Sequence, residues 1–192
     1  GLPEEDGLDG GDWGQAVAGV VASSKAALRV AVVAYPRISN LDEFQPLRNL
    51  PGVQLVWARS AAALSAAHWI ILPGSKHSSG DLRWLRAQGL DAAIARHAEA
   101  GKPLLGICGG LQMLGEALID PHGIDGNGPG LGLLPLVTVF EPDKTVLRTQ
   151  ARFGALQEGI WAALSGLAVQ GYEIHHGRTS QHAGMAPGRE VM

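Results

Sequence analysis

Four short runs rich in valine, isoleucine and leucine constrain the fold of this 192-residue chain more than any other feature. Their apolar residues are continuous, which is typical of strands that are covered on both faces. Segments with the apolar spacing of helices lie between the runs. Strands that alternate with helices in this way form parallel, doubly wound α/β sheets. The runs occupy residues 30–35, 53–57, 69–72 and 103–107, and the helical segments occupy 42–50, 61–67 and two stretches between 82 and 98.

The last third of the chain has a different pattern. A glycine-rich loop over 120–130 is followed by strand-like segments near 133–140, 146–153 and 167–174, with no helical segment between them. Strands that are joined without helical crossovers pair in antiparallel order. The sequence therefore predicts an α/β fold whose sheet is mostly parallel, with an antiparallel extension in the C-terminal third.

Charge and composition argue against several classes of function. The chain has 15 lysines and arginines against 18 acidic residues, a net charge of −3, so it has no basic excess with which to bind nucleic acid. No apolar run approaches the roughly 18 residues that cross a bilayer, and we expect no membrane partner. A single cysteine cannot form an internal disulfide, which favours a cytoplasmic location. The scattered histidines lack the spacing of zinc ligands, and we predict no metal site.

The single cysteine lies in a glycine-rich turn. Residues 106–110 read Gly-Ile-Cys-Gly-Gly and stand between a buried strand and a helical segment. Small residues on both sides of a sharp strand-to-helix turn are typical of a nucleophile elbow, in which the central residue is strained and exposed. Cys108 would also lie at a helix N-terminus, where we expect its thiolate to be stabilised. The alternative is a buried cysteine whose glycines only allow close packing.

A second turn follows the neighbouring strand. Residues 73–75 read Pro-Gly-Ser and lie at the same edge of the predicted sheet. The backbone N–H groups of Gly74 and Gly109 could there form an oxyanion hole, although Pro-Gly also ends many ordinary strands. Taken together, the two turns indicate acyl transfer at a thiol.

Residues 106–115, Gly-Ile-Cys-Gly-Gly-Leu-Gln-Met-Leu-Gly, resemble the nucleophile motif of the class I, triad-type glutamine amidotransferases. Further segments narrow the resemblance to the C-terminal domain of cobyric acid synthases, because they occur in the order of that family. These segments are Leu-Pro-Glu-Glu-Asp at 2–6, Pro-Arg-Ile-Ser-Asn at 36–40, Leu-Pro-Gly-Ser-Lys at 72–76, Asp-Pro-His-Gly at 120–123, Gly-Leu-Gly-Leu-Leu at 130–134 and Gly-Tyr-Glu-Ile-His-His-Gly-Arg-Thr at 171–179.

The resemblance implies a flavodoxin-like amidotransferase fold and a glutaminase activity. Cys108 would attack the side-chain amide of glutamine, Gly74 and Gly109 would bind the oxyanion, and Gln112 would help to hold glutamine. In that family the ammonia passes to an N-terminal synthetase domain. That domain uses ATP and Mg²⁺ to amidate adenosylcobyrinic acid a,c-diamide during cobalamin synthesis, so the corrinoid is an implied partner and the glutaminase domain needs no cofactor.

The chain departs from the family pattern at both ends. No Gly-x-x-x-x-Gly-Lys-Ser/Thr loop occurs, so we expect residues 1–28 to be a junction from an absent synthetase domain. Residues 29–192 would then be a glutaminase domain that lacks its final strand, because the family's Gly-Thr-Tyr-x-His-Gly-like segment is also missing. Glu173 and His175 are candidates for lining the pocket or replacing the base, although the family has Glu two residues after its histidine and this chain has Gly177. We therefore expect a truncated domain with little or no glutaminase turnover.

Other functions stay open on the sequence alone. The amidotransferase that modifies cell-wall lipid II shares the cysteine turn, but a free-standing subunit has no need of a fused junction. A cysteine-dependent hydrolase of flavodoxin-like fold usually brings its histidine soon after the cysteine, and none occurs between Cys108 and His122. A non-catalytic, protein-binding remnant is a further alternative. An incomplete sheet also leaves an open edge strand through which a homodimer could form.

Overall fold

A computed structural model describes residues 27–155, 159 and 161–181 of the chain. The proposed junction over residues 1–28 therefore lies almost entirely outside the described residues, including the Leu-Pro-Glu-Glu-Asp segment. Leu28, the last residue assigned to that junction, is already the first residue of a strand.

The first sheet is entirely parallel. It contains β1 (Leu28–Val33), β2 (Val53–Ala58), β3 (Trp69–Leu72) and β4 (Leu104–Gly106), in the spatial order β2-β1-β3-β4. This order is the beginning of the flavodoxin-like strand order 2-1-3-4-5. The carboxyl ends of β3 and β4 are neighbours, so the turns that follow them meet at one edge of the sheet.

Helices connect the strands and cover the sheet. They are α1 (Gln45–Asn49), preceded by a 3-10 turn at Asp42–Phe44, α2 (Ala61–Ser65), α3 (Ser78–Ala87), α4 (Leu90–Glu99) and α5 (Gly109–Leu114). Ala31 and Val33 of β1 pack into the larger apolar core with residues of α2 to α5, whereas Val30 and Val32 pack on the opposite face with Phe44. This explains the continuous apolar runs. No helix in the described ranges is long and apolar enough to cross a membrane.

The second sheet contains the C-terminal strands. These are β5 (Ala117–Ile119), β6 (Gly128–Pro129), β7 (Leu136–Arg152) and β8 (Ala168–Gln181), in the order β6-β5-β7-β8, and a 3-10 turn at Ala162–Leu164 precedes β8. β7 and β8 are antiparallel, and β5 is parallel to β7. The predicted α/β fold with an antiparallel extension is confirmed.

The extension differs in detail from the sequence prediction. The segments near 133–140 and 146–153 belong to one strand, β7, with a shift of register between Val139 and Lys144. Pro142 lies within this shift, where a missing backbone N–H does least damage to a ladder. The short strand β5 was not predicted, because three apolar residues are too few to show a period.

Candidate functional site

Cys108 occupies the turn between β4 and α5 in a strained backbone conformation. Its φ and ψ are 49° and −111°, and it is the only residue other than glycine with a positive φ in the described ranges. Such a conformation costs on the order of 1–3 kcal/mol and persists where the surroundings enforce it. The side chain is exposed, which argues against the alternative of a buried, space-filling cysteine.

The glycines beside Cys108 are required by close packing between the helix and the strands. A Cβ atom on Gly106 would lie 2.7 Å from the backbone N and Cα of Leu111, and one on Gly110 would overlap the carbonyl oxygen of Leu72. Both obstacles are backbone atoms, which cannot turn aside as a flexible side chain can. The predicted strained turn with obligatory small neighbours is therefore the observed geometry.

A cavity of about 1240 Å³ opens beside the Cys108 side chain. It brings together residues from the ends of β3 and β4 and from β8, which are far apart in the sequence. Among its lining residues are Gly74, Cys108, Gln112, Glu173 and His175. Gly109 is not a lining residue, but it is buried beside the same loop, where a Cβ atom on it would lie 2.9 Å from the backbone N of Ser75.

Two backbone N–H groups near Cys108 have no backbone acceptor among the described residues, and that of Gly109 is hydrogen-bonded to the Cys108 sulfur. The carbonyl of Gly74 accepts a hydrogen bond of 2.9 Å from the N–H of Ser39, whereas no described group accepts from the Gly74 N–H. Gly109 is the first residue of α5, so its N–H has no acceptor within the helix. A Cβ atom on Gly74 would lie 3.9 Å from the Cβ of Cys108. Both donors are thus available beside the thiol, although their role is still a prediction.

Buried polar contacts hold the Gly74 turn in place. The hydroxyl of Tyr35 donates to the carbonyl oxygen of Pro73, and Ser75 Oγ donates to Asp81 Oδ2 at 2.7 Å. Asp81 also accepts from the backbone N–H of Arg37 at 3.3 Å. Burial raises the pKa of the Asp81 carboxyl, and the Ser75 and Arg37 bonds partly offset that effect. Tyr35 and Asp81 therefore fix the loop that carries the Gly74 N–H.

The pKa of the Cys108 thiol is raised, whereas the sequence predicts a stabilised thiolate. Although the side chain is exposed, the cavity walls remove part of its hydration and raise its pKa above the ordinary value, and the negative charge of Glu43 acts in the same direction. The Gly109 N–H and Lys144 lower the pKa, as expected at a helix start, but they do not outweigh burial. A raised pKa favours the neutral thiol, whose proton must be removed before the sulfur can attack.

Strand β8 lies across the cavity from the nucleophile helix. Cys108 Sγ donates a weak hydrogen bond of 3.8 Å to the carbonyl oxygen of Ile174. One helical turn later, Gln112 Nε2 donates to the carbonyl oxygen of His176 at 3.3 Å, and Gln112 Oε1 accepts from Ser78 Oγ at 2.9 Å. Gln112 is therefore held from both sides with its amide orientation defined.

His175 binds within its own strand. Its Nδ1 lies 2.8 Å from the carbonyl oxygen of Gly177 and its Nε2 lies 2.7 Å from Glu173 Oε1. A carbonyl oxygen only accepts, so Nδ1 carries a hydrogen, and Nε2 faces the Glu173 carboxylate rather than the thiol. In this arrangement neither nitrogen accepts the proton of Cys108. Nδ1 of the adjacent His176 is buried and has no hydrogen-bond partner among the described residues.

A family model for the CobB/CobQ-like glutamine amidotransferase domain matches residues 29–191. The chain belongs to this family.

Similar proteins to this amidotransferase domain include several cobyric acid synthases. Cobyric acid synthase of Paracidovorax citrulli is 67% identical over 191 residues, which cover 100% of this chain and 38% of that protein. The protein of the same name from Polaromonas sp. is 71% identical over 162 residues, covering 84% of this chain and 32% of the relative. The cobyric acid synthase of Leptothrix cholodnii is 67% identical over 193 residues and is covered to 37%. This chain thus spans less than two fifths of the length of these relatives.

A solved structure shares the fold of this amidotransferase domain. A crystal structure described as a glutamine amidotransferase is 21% identical, with a TM-score of 0.50, and the match covers 62% of each chain. At this identity the likeness concerns the fold alone.

Several residues of the site were missed by sequence analysis of this amidotransferase domain. Four polar residues brace the turns around Cys108 but lie outside the family-like segments quoted in the sequence analysis. They are Tyr35, Ser78, Asp81 and Asp125. Ser78 and Asp81 stand at the start of α3, where a polar cluster after Pro-Gly is the one signal that could have drawn attention to them. Among the described residues, no group of three His, Cys, Asp or Glu side chains could hold a metal ion.

Proposed function

We propose that this chain is the glutaminase domain of a cobyric acid synthase, in which Cys108 hydrolyses glutamine through a thioester. The observation that carries the proposal is the strained, exposed Cys108 at a cavity beside the N–H groups of Gly74 and Gly109. The identity of 67% and 71% to proteins named cobyric acid synthase favours this function over the lipid II amidotransferase alternative.

The proposed reaction has two steps. The sulfur of Cys108 forms a bond to the side-chain carbonyl carbon of glutamine, and the negative charge that develops on oxygen is stabilised by the N–H groups of Gly74 and Gly109. The carbon–nitrogen bond then breaks, and the nitrogen takes a proton and leaves as ammonia. Water attacks the resulting γ-glutamyl thioester, which releases glutamate and returns the thiol. Gln112, whose amide is fixed by Ser78 and His176, would help to hold the substrate.

The first step needs a base, and the described residues do not present one to the thiol. Burial raises the pKa of Cys108, and the described hydrogen bond of its Sγ leads to a backbone carbonyl. Both nitrogens of His175, the proposed substitute base, are bound to acceptors on β8. We therefore propose that the 192-residue chain recognises glutamine but turns it over slowly or not at all.

The wider assignment follows the relatives. Ammonia would pass to a synthetase domain that uses ATP and Mg²⁺ to amidate carboxylates of adenosylcobyrinic acid a,c-diamide in cobalamin biosynthesis. Residues 1–28 would be the junction to that domain and residues 29–192 the glutaminase domain. We propose the cytoplasm as the compartment, on the basis of the single cysteine. A homodimer could form through β8, which ends its sheet in the described part of the chain.

Covalent trapping of Cys108 by a glutamine analogue tests the proposal. Diazo-oxo-norleucine carries an electrophilic carbon in place of the glutamine amide, so a pocket that recognises glutamine will direct it to the thiol. We expect one adduct per chain, located at Cys108 by peptide mass analysis, formed at a rate that saturates with reagent and falls when glutamine is added. The Cys108→Ser variant is the matched control and should show no adduct. Slow, non-saturating labelling that glutamine does not affect would instead favour the non-catalytic remnant.

A further inference from the structure

The side-chain amide of Gln112 is held by an almost completely buried partner. Ser78 is 2% exposed and Gln112 is 6% exposed, and the bond from Ser78 Oγ to Gln112 Oε1 is 2.9 Å long. With its oxygen bound to Ser78, Gln112 directs its NH₂ group to the carbonyl of His176 at 3.3 Å. The orientation of this amide at the cavity therefore depends on where Ser78 is placed.

Ser78 is fixed in turn by a residue that is 47 positions away in the sequence. Asp125 Oδ2 accepts from the backbone N–H of Ser78 at 2.8 Å, and Oδ1 accepts from that of Ser79 at 2.7 Å. The backbone carbonyl of Asp125 also accepts from Ser79 Oγ at 2.8 Å. A carboxylate that binds the first N–H groups of a helix is favoured by the helix dipole. Asp125 thus holds the start of α3 from a position in the cavity wall.

The loop over residues 120–127 presents Asp125 in a defined position. Asp120 Oδ2 accepts from the N–H of Asp125 at 2.7 Å, and Asp120 Oδ1 accepts from the N–H of His122 at 3.1 Å. Asn127 closes the loop by accepting from the Asp120 N–H at 2.7 Å and donating to the Asp120 carbonyl at 3.0 Å. The carboxylate of Asp120 is therefore the internal brace of the loop.

The charge state of Asp120 suits this role. Burial acts to raise its pKa, but the backbone N–H groups of Ile124, Asp125, His122 and Gly126 together hold it below the ordinary value. These N–H groups therefore favour the ionised form of the carboxylate that braces the loop.

We propose that Asp125 is a positioning residue for glutamine binding, which acts through Ser78 to orient the Gln112 amide. The inference rests on the proposed function, because it takes glutamine as the molecule that Gln112 contacts. A helix cap with no further role is the competing explanation. His77 caps the same helix, but its Nδ1 lies 3.5 Å from Asp125 Oδ1, so it cannot serve as a control. Ser60 can, because its Oγ caps α2 by accepting from the N–H of Ala63 at 3.4 Å, and neither Asp125 nor Ser78 is among its described partners.

The test measures the concentration of diazo-oxo-norleucine that gives half-maximal labelling of Cys108 in five proteins. These are the 192-residue chain, its Asp125→Ala, Ser78→Ala and Ser60→Ala variants, and the Asp125→Ala/Ser78→Ala double variant. We expect Asp125→Ala and Ser78→Ala each to raise this concentration about tenfold, the loss typical of one buried hydrogen bond. The two changes together should do little more than either one, because they interrupt successive bonds of one chain of contacts, from Asp125 to the Ser78 backbone and from Ser78 Oγ to Gln112. Iodoacetamide, which does not resemble glutamine, should alkylate Cys108 at nearly the same rate in all five proteins.

The other outcomes would overturn the inference alone or the proposed function together with it. If diazo-oxo-norleucine saturates the parent chain but Asp125→Ala and Ser78→Ala leave the half-maximal concentration unchanged, the inference fails and the proposed function stands. An equal rise in Ser60→Ala would mean that the loss of any helix cap weakens labelling, which also overturns the inference. If the parent chain itself shows no saturation, the proposed function fails and the inference fails with it. Should Asp125→Ala not fold, Asp125→Asn takes its place: its side chain keeps one acceptor oxygen and can bind only one of the two N–H groups. It should raise the half-maximal concentration in the same direction, and no rise would overturn the inference.

Discussion

Cys108 Sγ lies 3.8 Å from the carbonyl oxygen of Ile174, so the proposed nucleophile meets the backbone of β8 rather than a histidine. A carbonyl oxygen accepts the hydrogen of a thiol but cannot remove it. Desolvation also raises the pKa of Cys108. The proposed nucleophile therefore lies at the cavity without a described base that could remove its proton.

The pH dependence of Cys108 alkylation should be shifted to higher pH than that of an ordinary cysteine. The thiolate is the reactive form, and a raised pKa moves its formation to higher pH. The iodoacetamide rate should therefore reach half its maximum at a higher pH than that of an unstructured cysteine peptide. Glu43→Gln should move the midpoint down and Lys144→Met should move it up, because Glu43 raises and Lys144 lowers the pKa. A midpoint at or below that of the peptide would contradict this account of the site.

Backbone strain at Cys108 should be measurable as a difference in stability between two substitutions. Glycine tolerates φ of 49° with ψ of −111°, whereas alanine keeps a Cβ and therefore the strain. Both substitutions remove the thiol, so Cys108→Ala is the matched control. We expect Cys108→Gly to have a free energy of unfolding higher than that of Cys108→Ala by about 1 kcal/mol. Urea unfolding that shows Cys108→Ala to be equally or more stable would argue against strain.

Close packing at Gly110 predicts a large loss of stability. A Cβ atom there would overlap the Leu72 carbonyl, and Gly110→Ala should lower the free energy of unfolding by more than about 2 kcal/mol. Gly171→Ala is the matched control, because a Cβ on Gly171 meets nothing within 4 Å and its φ is not positive. That variant should stay within about 0.5 kcal/mol of the parent. Equal thermal unfolding midpoints for the two variants would contradict the packing.

The sequence predicts best what is encoded locally. The strained turn at Cys108 follows from the spacing of Gly106 and Gly110, and the parallel sheet follows from apolar runs whose two faces are both buried. The fold class and the position of the proposed nucleophile can therefore be predicted from the sequence.

Long-range contacts and burial cannot be predicted from local sequence patterns. Asp125 reaches Ser78 across 47 residues with no periodic signal to link them. The sequence predicts a stabilised thiolate at Cys108 because a helix start is visible in it, whereas the cavity walls that shield part of the thiol from water come from other elements. The sequence also predicts two strand segments near 133–140 and 146–153, whereas β7 continues between them through a shift of register.

Glutamate release should separate recognition of glutamine from its hydrolysis. General base catalysis typically contributes at least about 100-fold to a rate, and His175 is bound to Glu173 and Gly177 instead of Cys108. We therefore expect this chain to release glutamate at least about 100-fold more slowly than full-length cobyric acid synthase of Paracidovorax citrulli under matched conditions. His175→Ala should not lower the residual rate further. A comparable rate from both proteins, or a loss of activity in His175→Ala, would contradict the account.

Protection of Cys108 by glutamine tests the central claim most directly, because it needs neither a base nor turnover. Iodoacetamide alkylation of the 192-residue chain is followed by intact mass while glutamine is added at increasing concentration, with asparagine, which is one methylene shorter, as the control. The account predicts that glutamine slows alkylation of Cys108 in a saturable manner and that asparagine has little effect. An alkylation rate that glutamine leaves unchanged, or that both amides slow equally, would contradict it.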